Sequence, residues 1–377
     1  MKIGYDGKRA VQNFTGLGNY SRYVIEVLNR FVPQNEYVLY APNNRSSRVF
    51  DLMLGKCPLL QTVYPIGVWR KLKSLWRIWG ITSELLADGV NVFHGLSGEL
   101  PLNIRKVPQV KSVVTVHDLI FLRYPSYYHW LDRKIYTYKF RKACQNADVI
   151  VAISECTKRD IVSYFHIPDN KIEVIYQGCD SSFTLQVSED KRKEVALKYA
   201  LPERYILNVG SIEERKNVLL AVKALELLDK DVHLVVVGKR TPYTDKVVEY
   251  AKVHKLTDRL HILSGVTFDD LPAVYQQTLA FVYPSRFEGF GIPIVEALHS
   301  GVPVVAATGS CLEEAGGPDS AYVDPDDEQG MADALNSILT DSGKRLDMIT
   351  KGKEYVARFS EEKHAALLNK LYVRIAN

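Results

Sequence analysis

Short runs rich in β-branched and aromatic residues alternate with longer stretches of helical period throughout the chain, and this alternation restricts the fold more than any other feature. In the first half the runs are KIGYDG at the start, EYVLYA (36–41), VNVFHG (90–95), SVVTVHD (112–118), ADVIVAIS (147–154) and IEVIYQG (172–178). The second half supplies RYILNVG (204–210), VHLVVVG (232–238), LHILSG (260–265), LAFVYPS (279–285) and VPVVAAT (302–308). Near-continuous apolar strands separated by helices predict parallel sheets buried on both faces. At 377 residues the chain also exceeds what one core usually organises. The expectation is α/β architecture in two doubly wound domains with a cleft between them.

The polar stretch QGCDSSFTLQVSEDKRK (177–193) predicts a hinge at about 180–195. Residues 1–180 then form the first domain and 190–359 the second. The last segment, SEEKHAALLNKLYVRIA (360–376), has helical apolar spacing, Ser360 as a cap and Glu361 and Glu362 in its first turn. This helix is expected to close the fold by packing near the first domain.

Five cysteines, odd in number and without C-x-x-C or zinc spacing, indicate reduced packing thiols. Asp6 interrupts any early apolar region, and no run approaches the length of a membrane span. The sequence therefore predicts a cytosolic chain. Charge is asymmetric: residues 1–180 hold 24 Lys+Arg against 15 Asp+Glu, a net +9, and residues 181–377 hold 24 against 29, a net −5.

Open α/β sheets bind ligands beyond the carboxyl ends of their strands. The unusual residues gather at those ends: Gly16 and Gly18, His117 and Asp118, Ser154, Gly210 through Lys216, Gly238, and Ser285 through Gly291. The stretch RFEGFGIPIVEA (286–297) follows a strand, carries Gly289 and Gly291, and opens a helix at Pro293. Exposed amides and the dipole at such a helix start favour a phosphate. A carboxylate suits hydroxyls instead. Glu288 and Glu296 on either side thus describe a sugar, a phosphate and a ribose, that is, a nucleotide-sugar. The alternative is a glycine-shaped turn with Glu296 as a solvated or capping residue.

Over nearly its whole length the chain resembles the retaining glycosyltransferases of family 4, which have the two-domain GT-B fold. The resemblance is carried by TGLGNY (15–20), VHD (116–118), AISECTKRD (152–160), NVGSIEERKN (208–217), SGVTFDDLPAVY (264–275), PSRFEGFGIPIVEAL (284–298), SGVPVVA (300–306) and AYVDP (321–325). Glu288 and Glu296 match the family's E-x7-E motif. The resemblance implies that Glu296 binds the donor ribose and Glu288 the transferred sugar. It implies that the backbone of Gly289, Phe290 and Gly291, beside Ser285, holds sugar and β-phosphate. Lys216 and Arg215 would then stabilise the departing nucleoside diphosphate.

Further roles follow from the same resemblance. Gly16 and Gly18 would let the first loop approach the phosphates, Gly210 and Ser211 would belong to the donor site, and backbone near Val266 would read the base. His117 matches the family's sugar-contacting histidine, with Asp118 and Tyr124 on the acceptor side. Two positions depart from the pattern: Ser211 stands where an arginine or another polar residue is frequent, and Asn19 stands where arginine is frequent. The D-x-D at Asp324 and Asp326 belongs to a loop away from the motifs, and no catalytic metal or other cofactor is expected.

Two basic segments lie in the first half. VWRKLKSLWRIWG (68–80) holds three of the four tryptophans and four basic residues. On a single helix Trp69, Leu72, Trp76 and Trp79 would share one face, which suits either an anionic membrane interface or internal packing. LRYPSYYHWLDRKIYTYKFRK (122–142) interleaves aromatics with Arg and Lys, but no RNA-binding motif accompanies it and no nucleic-acid partner is expected.

The expected activity is transfer of a sugar, with GDP-mannose as the first donor, to a lipid-linked or polysaccharide acceptor in cell-surface glycan synthesis such as lipopolysaccharide. The expected location is cytoplasmic, with peripheral contact at the inner face of the cytoplasmic membrane through residues 68–80. The rivals are a nucleotide-sugar epimerase of the same fold and a non-catalytic glycan- or lipid-binding scaffold. TGLGNY lacks the spacing of a nicotinamide dehydrogenase.

Overall fold

The computed structural model describes residues 1–44 and 47–377. The described residues form two compact units, one of Met1–Gly178 with Glu361–Asn377 and the other of Cys179–Ser360. The chain thus leaves the first unit after Gly178, just before the hinge expected at about 180–195, and returns to it for the last helix.

The first unit is built on seven strands: β1 (Lys2–Asp6), β2 (Glu36–Tyr40), β3 (Leu60–Val63), β4 (Val92–Gly95), β5 (Lys111–Val116), β6 (Val149–Ala152) and β7 (Ile172–Val174). Their order is β3-β2-β1-β4-β5-β6-β7, and every pairing is parallel. The change of direction around β1 and β4 is the doubly wound switch point. Helix Gly16–Phe31 and the terminal helix Glu361–Ala376 cover one face, where Val24 and Leu28 meet Ala365, Leu368 and Tyr372 in one core.

The second unit carries β8 (Tyr205–Val209), β9 (His233–Val237), β10 (Leu260–Leu263), β11 (Ala280–Tyr283), β12 (Val304–Ala307) and β13 (Ala321–Val323). Their order is β10-β9-β8-β11-β12-β13, again all parallel. Central strands are buried along their whole length, as in Ala280–Tyr283 and Val304–Ala307. This explains their unbroken apolar sequence.

Two strands, β3 and β13, fall outside the eleven expected from sequence. Both are edge strands, and both are only partly buried. LQTV therefore carries no continuous apolar signal, and AYV is only three residues long.

Residues 68–80 do not form the single helix that their spacing suggests. They break into a 3₁₀ turn at Gly67–Arg70, one turn at Lys73–Leu75 and a π turn at Trp76–Gly80. Trp76 is fully buried and donates its indole N–H to Glu84 at 2.7 Å. Its neighbour Arg77 pairs with Asp6 at 2.8 Å and also with Glu99. Adjacent residues on a regular helix point about 100° apart, so drawing both Trp76 and Arg77 inward distorts the turn. Val68, Leu72, Leu75 and Trp79 stay exposed with Arg70, Lys71 and Lys73. Internal packing therefore takes Trp76 and part of Trp69, and a basic apolar surface remains.

Candidate active site

In the second unit the carboxylate of Glu288 collects four donors. Lys216 Nζ, Tyr283 Oη and Ser285 Oγ reach Oε1 at 2.7, 2.9 and 2.8 Å. Arg215 reaches Oε2 at 2.9 Å. Burial alone would push the pKa of this carboxyl up, but Lys216 and Arg215 outweigh it and hold it down at about 2. Glu288 in turn keeps both cations charged against their own burial, above their ordinary values.

The loops that carry these groups are tied together. Arg215 donates to the Phe287 carbonyl at 2.6 Å, and the Arg286 amide donates to the Arg215 carbonyl at 2.9 Å. Asn217, which tolerates its left-handed backbone at φ 54°, donates to the carbonyls of Pro284 and Pro325. The aliphatic stem of Lys216 lies over Gly210, where a Cβ would meet its Cδ at 3.2 Å. Ser211 donates to Glu213 at 2.6 Å.

The glycine loop bends at Gly291, whose φ of 114° an L side chain rarely adopts. It opens helix Ile292–His299, where the N-cap Gly291 makes no side-chain cap, and the positive end of a helix dipole favours an anion. Phe290 is buried, and the buried thiol of Cys311 donates to the carbonyls of Glu288 and Phe290 at 3.0 and 3.1 Å.

Glu296 lies on the next turn of that helix and accepts from the Tyr275 hydroxyl at 2.9 Å. Burial pushes its carboxyl up to about 7, with Asp180 adding to the rise and Tyr275 opposing it. Val266 is half-buried in the loop after β10, beside Ser264, which donates to the Gly238 carbonyl at 3.1 Å.

In the first unit His117 stands just beyond β5. Its Nε2 lies 2.9 Å from the Leu96 carbonyl, an acceptor only, so this nitrogen carries the proton. Nδ1 then accepts from the Gln177 amide at 3.3 Å. Burial pushes the imidazole down to about 4; the Leu96 carbonyl opposes this and Arg9 assists it. His117 is therefore neutral at physiological pH. Asp118 accepts from the Ile120 amide at 3.1 Å and so shapes the start of the short helix Ile120–Arg123. Tyr124 stacks on Tyr127.

Gly16 begins helix Gly16–Phe31, and Gly18 lies where a Cβ would sit 1.8 Å from the Asn13 carbonyl oxygen. Gly18 thus has a packing reason within its own loop. Asn19 accepts from Arg22 at 2.6 Å, and Arg22 also donates to the Ala10 and Asn13 carbonyls. The side chain that stands in for a frequent arginine thereby helps hold the first loop.

The structure brings Arg215, Lys216, Ser285 and Glu288 together in the second unit. Sequence reasoning missed Tyr283, Tyr275, Cys311 and Gln177, which hold Glu288, Glu296, the glycine loop and His117. The available signal was positional, since Tyr283 and Gln177 both close strand-like runs at the edge that was searched. The D-x-D loop is not away from the motifs as expected: Asp326 pairs with Arg286 at 2.5 Å and the Pro325 carbonyl accepts from Asn217, because the loop after β13 packs against the loops that carry Arg215 and Glu288. The Asp326 amide donates to Asp324.

Two family models match the chain in succession: Glycosyltransferase Family 4 over residues 20–183 and Glycosyl transferases group 1 over residues 189–355. Among curated proteins, O-antigen chain mannosyltransferase B of Escherichia coli is 29% identical over 96% of this chain and 97% of its own length. O-antigen chain mannosyltransferase RfbU of Salmonella typhimurium is 26% identical over 75% of each chain. Among solved structures, Anabaena Alr3699/HepE in complex with UDP and glucose superposes with a TM-score of 0.78 at 16% identity, covering 99% of this chain and 100% of that one. With two parallel sheets in two units and both family models in order, the chain belongs to the group 1, family 4 glycosyltransferases and has the GT-B fold.

Proposed function

We propose that this glycosyltransferase moves mannose, with retention of configuration, from GDP-mannose to a hydroxyl of a lipid-linked or polysaccharide acceptor in O-antigen-type glycan synthesis. The observation that carries the reading is the ionised Glu288 between Lys216 and Arg215, at the strand end that leads into the glycine loop and the Glu296 helix. The mannosyltransferase names of the relatives support the sugar. They favour transfer over the epimerase and scaffold alternatives.

In this reading Glu296 accepts hydroxyl bonds from the ribose, and the backbone of Gly289, Phe290 and Gly291 holds sugar and β-phosphate. The loop at Gly210 and Ser211, with Gly16 and Gly18, serves the same donor, and backbone near Val266 contacts the base. Lys216 and Arg215 take up the negative charge of the leaving diphosphate. Glu288, kept anionic, stabilises positive charge at the anomeric carbon. The acceptor oxygen forms its bond to that carbon as the carbon–phosphate oxygen bond breaks, and the acceptor proton passes to the departing phosphate. Neutral His117 contacts the sugar, with Asp118 and Tyr124 on the acceptor side. The two basic side chains perform the charge neutralisation, and the reaction is metal-independent.

Among the described residues no helix is long and apolar enough to cross a membrane. The exposed Val68, Leu72, Leu75 and Trp79, ringed by Arg70, Lys71 and Lys73, support peripheral contact with an anionic bilayer at the inner face of the cytoplasmic membrane. The test of the activity is incubation with GDP-mannose and a membrane extract of lipid-linked glycans. Mannose should enter the lipid fraction with wild type and not with Glu288→Ala; equal incorporation by both would reject the assignment.

A further inference from the structure

Behind His117 lies a buried run of polar side chains that the reaction as described does not use. The rings of Tyr20 and His117 meet edge-to-face, with centroids 4.5 Å apart and planes at 88°. Tyr20 Oη lies 3.4 Å from Thr115 Oγ1, which is 2.8 Å from His94 Nε2. His94 Nδ1 is 2.6 Å from the hydroxyl of Tyr372, on the terminal helix Glu361–Ala376. Tyr20 is 5% exposed, and Thr115, His94 and Tyr372 are 0% exposed.

Burial keeps His94 neutral, so one ring nitrogen donates and the other accepts. Either tautomer gives the run one direction. If Nδ1 carries the proton, Thr115 donates to Nε2 and Tyr20 donates to Thr115. If Nε2 carries it, Tyr372 donates to Nδ1 and Thr115 points its proton at Tyr20. Phe, Val and Leu could fill this core without desolvating polar groups, whereas the hydrogen bonds offset that cost only in a narrow geometry. The run therefore fixes where the Tyr20 ring lies, and with it the rear wall of His117.

We propose that Tyr372, His94, Thr115 and Tyr20 act as positioning residues that set the orientation of the His117 ring. The proposal rests on the reading of His117 as the sugar contact. None of the four is assigned a contact with substrate; each acts through the next, and Tyr20 acts on His117 by packing.

The test compares Thr115→Val, Thr115→Ser and Tyr372→Phe in the full chain. One readout is the NMR shift of the His117 ring protons in histidine-labelled protein, which is sensitive to the ring current of Tyr20. The other is GDP release from GDP-mannose, which needs no identified acceptor. Thr115→Val and Tyr372→Phe are expected to move the His117 signals and lower turnover about ten- to a hundredfold at unchanged KM, while Thr115→Ser retains both. Unmoved His117 signals in Thr115→Val, or equal losses in Thr115→Val and Thr115→Ser, would overturn the proposal. Should the signals move while wild type turns over no nucleotide-sugar, positioning is supported and the proposed transfer fails.

Discussion

Lys216 Nζ lies 2.7 Å from Glu288 Oε1, a buried ion pair that Arg215 completes on Oε2. If these cations receive the leaving diphosphate, Lys216→Ala and Arg215→Ala should each lower turnover about 100- to 1,000-fold, the usual effect of removing one preorganised charge-stabilising group. Steady-state kinetics with donor varied will check this. A rise in KM with unchanged kcat would assign the cations to ground-state binding instead.

Glu288→Ala should also destabilise the fold, because it leaves two buried cations without their counter-charge. The expected loss is about 3–5 kcal/mol, read by denaturant titration. The carboxyl is held at about 2, below its unfolded value. Its contribution is therefore present above the ordinary carboxylate range and is lost as pH falls towards 2. Wild type and Glu288→Ala should converge in stability in acid.

Donor affinity should depend on pH through Glu296. Its carboxyl titrates at about 7, above the ordinary value, so the protonated form persists to near neutrality. If the ionised form accepts the ribose hydroxyls, affinity should strengthen as pH rises through about 7, approaching tenfold per unit on the acid side. Tyr275→Phe removes a bond that favours the ionised form and should move the midpoint upward. Glu296→Gln should flatten the profile, and titration calorimetry between pH 5.5 and 8.5 would reveal each change.

Much of this arrangement was legible in the sequence. Strand ends are readable because central parallel strands are apolar throughout, and glycines and charges stand out against them. The residues that tune the site were less visible. Tyr275 and Tyr283 belong to apolar-looking runs, and only the fold brings their hydroxyls to Glu296 and Glu288. Gln177 lies 60 residues from His117 in sequence. The 68–80 segment was misread as one helix because period alone does not register that Arg77 is drawn to Asp6 and Glu99.

The exposed face of that segment gives a separate prediction. Replacing Leu72, Leu75 and Trp79 together with Ser should release the protein from vesicles containing anionic phospholipid while donor binding persists. Flotation of wild type and variant will measure it, and equal flotation would exclude this surface.

The central claim is a nucleotide-sugar site built on Glu288 and Glu296, and the most direct measurement is a thermal-shift screen of GDP-, UDP-, TDP- and ADP-sugars on wild type and Glu296→Ala. The account predicts selective stabilisation by GDP-mannose that the variant loses. Stabilisation by no nucleotide-sugar, or equal stabilisation of both proteins, would contradict it.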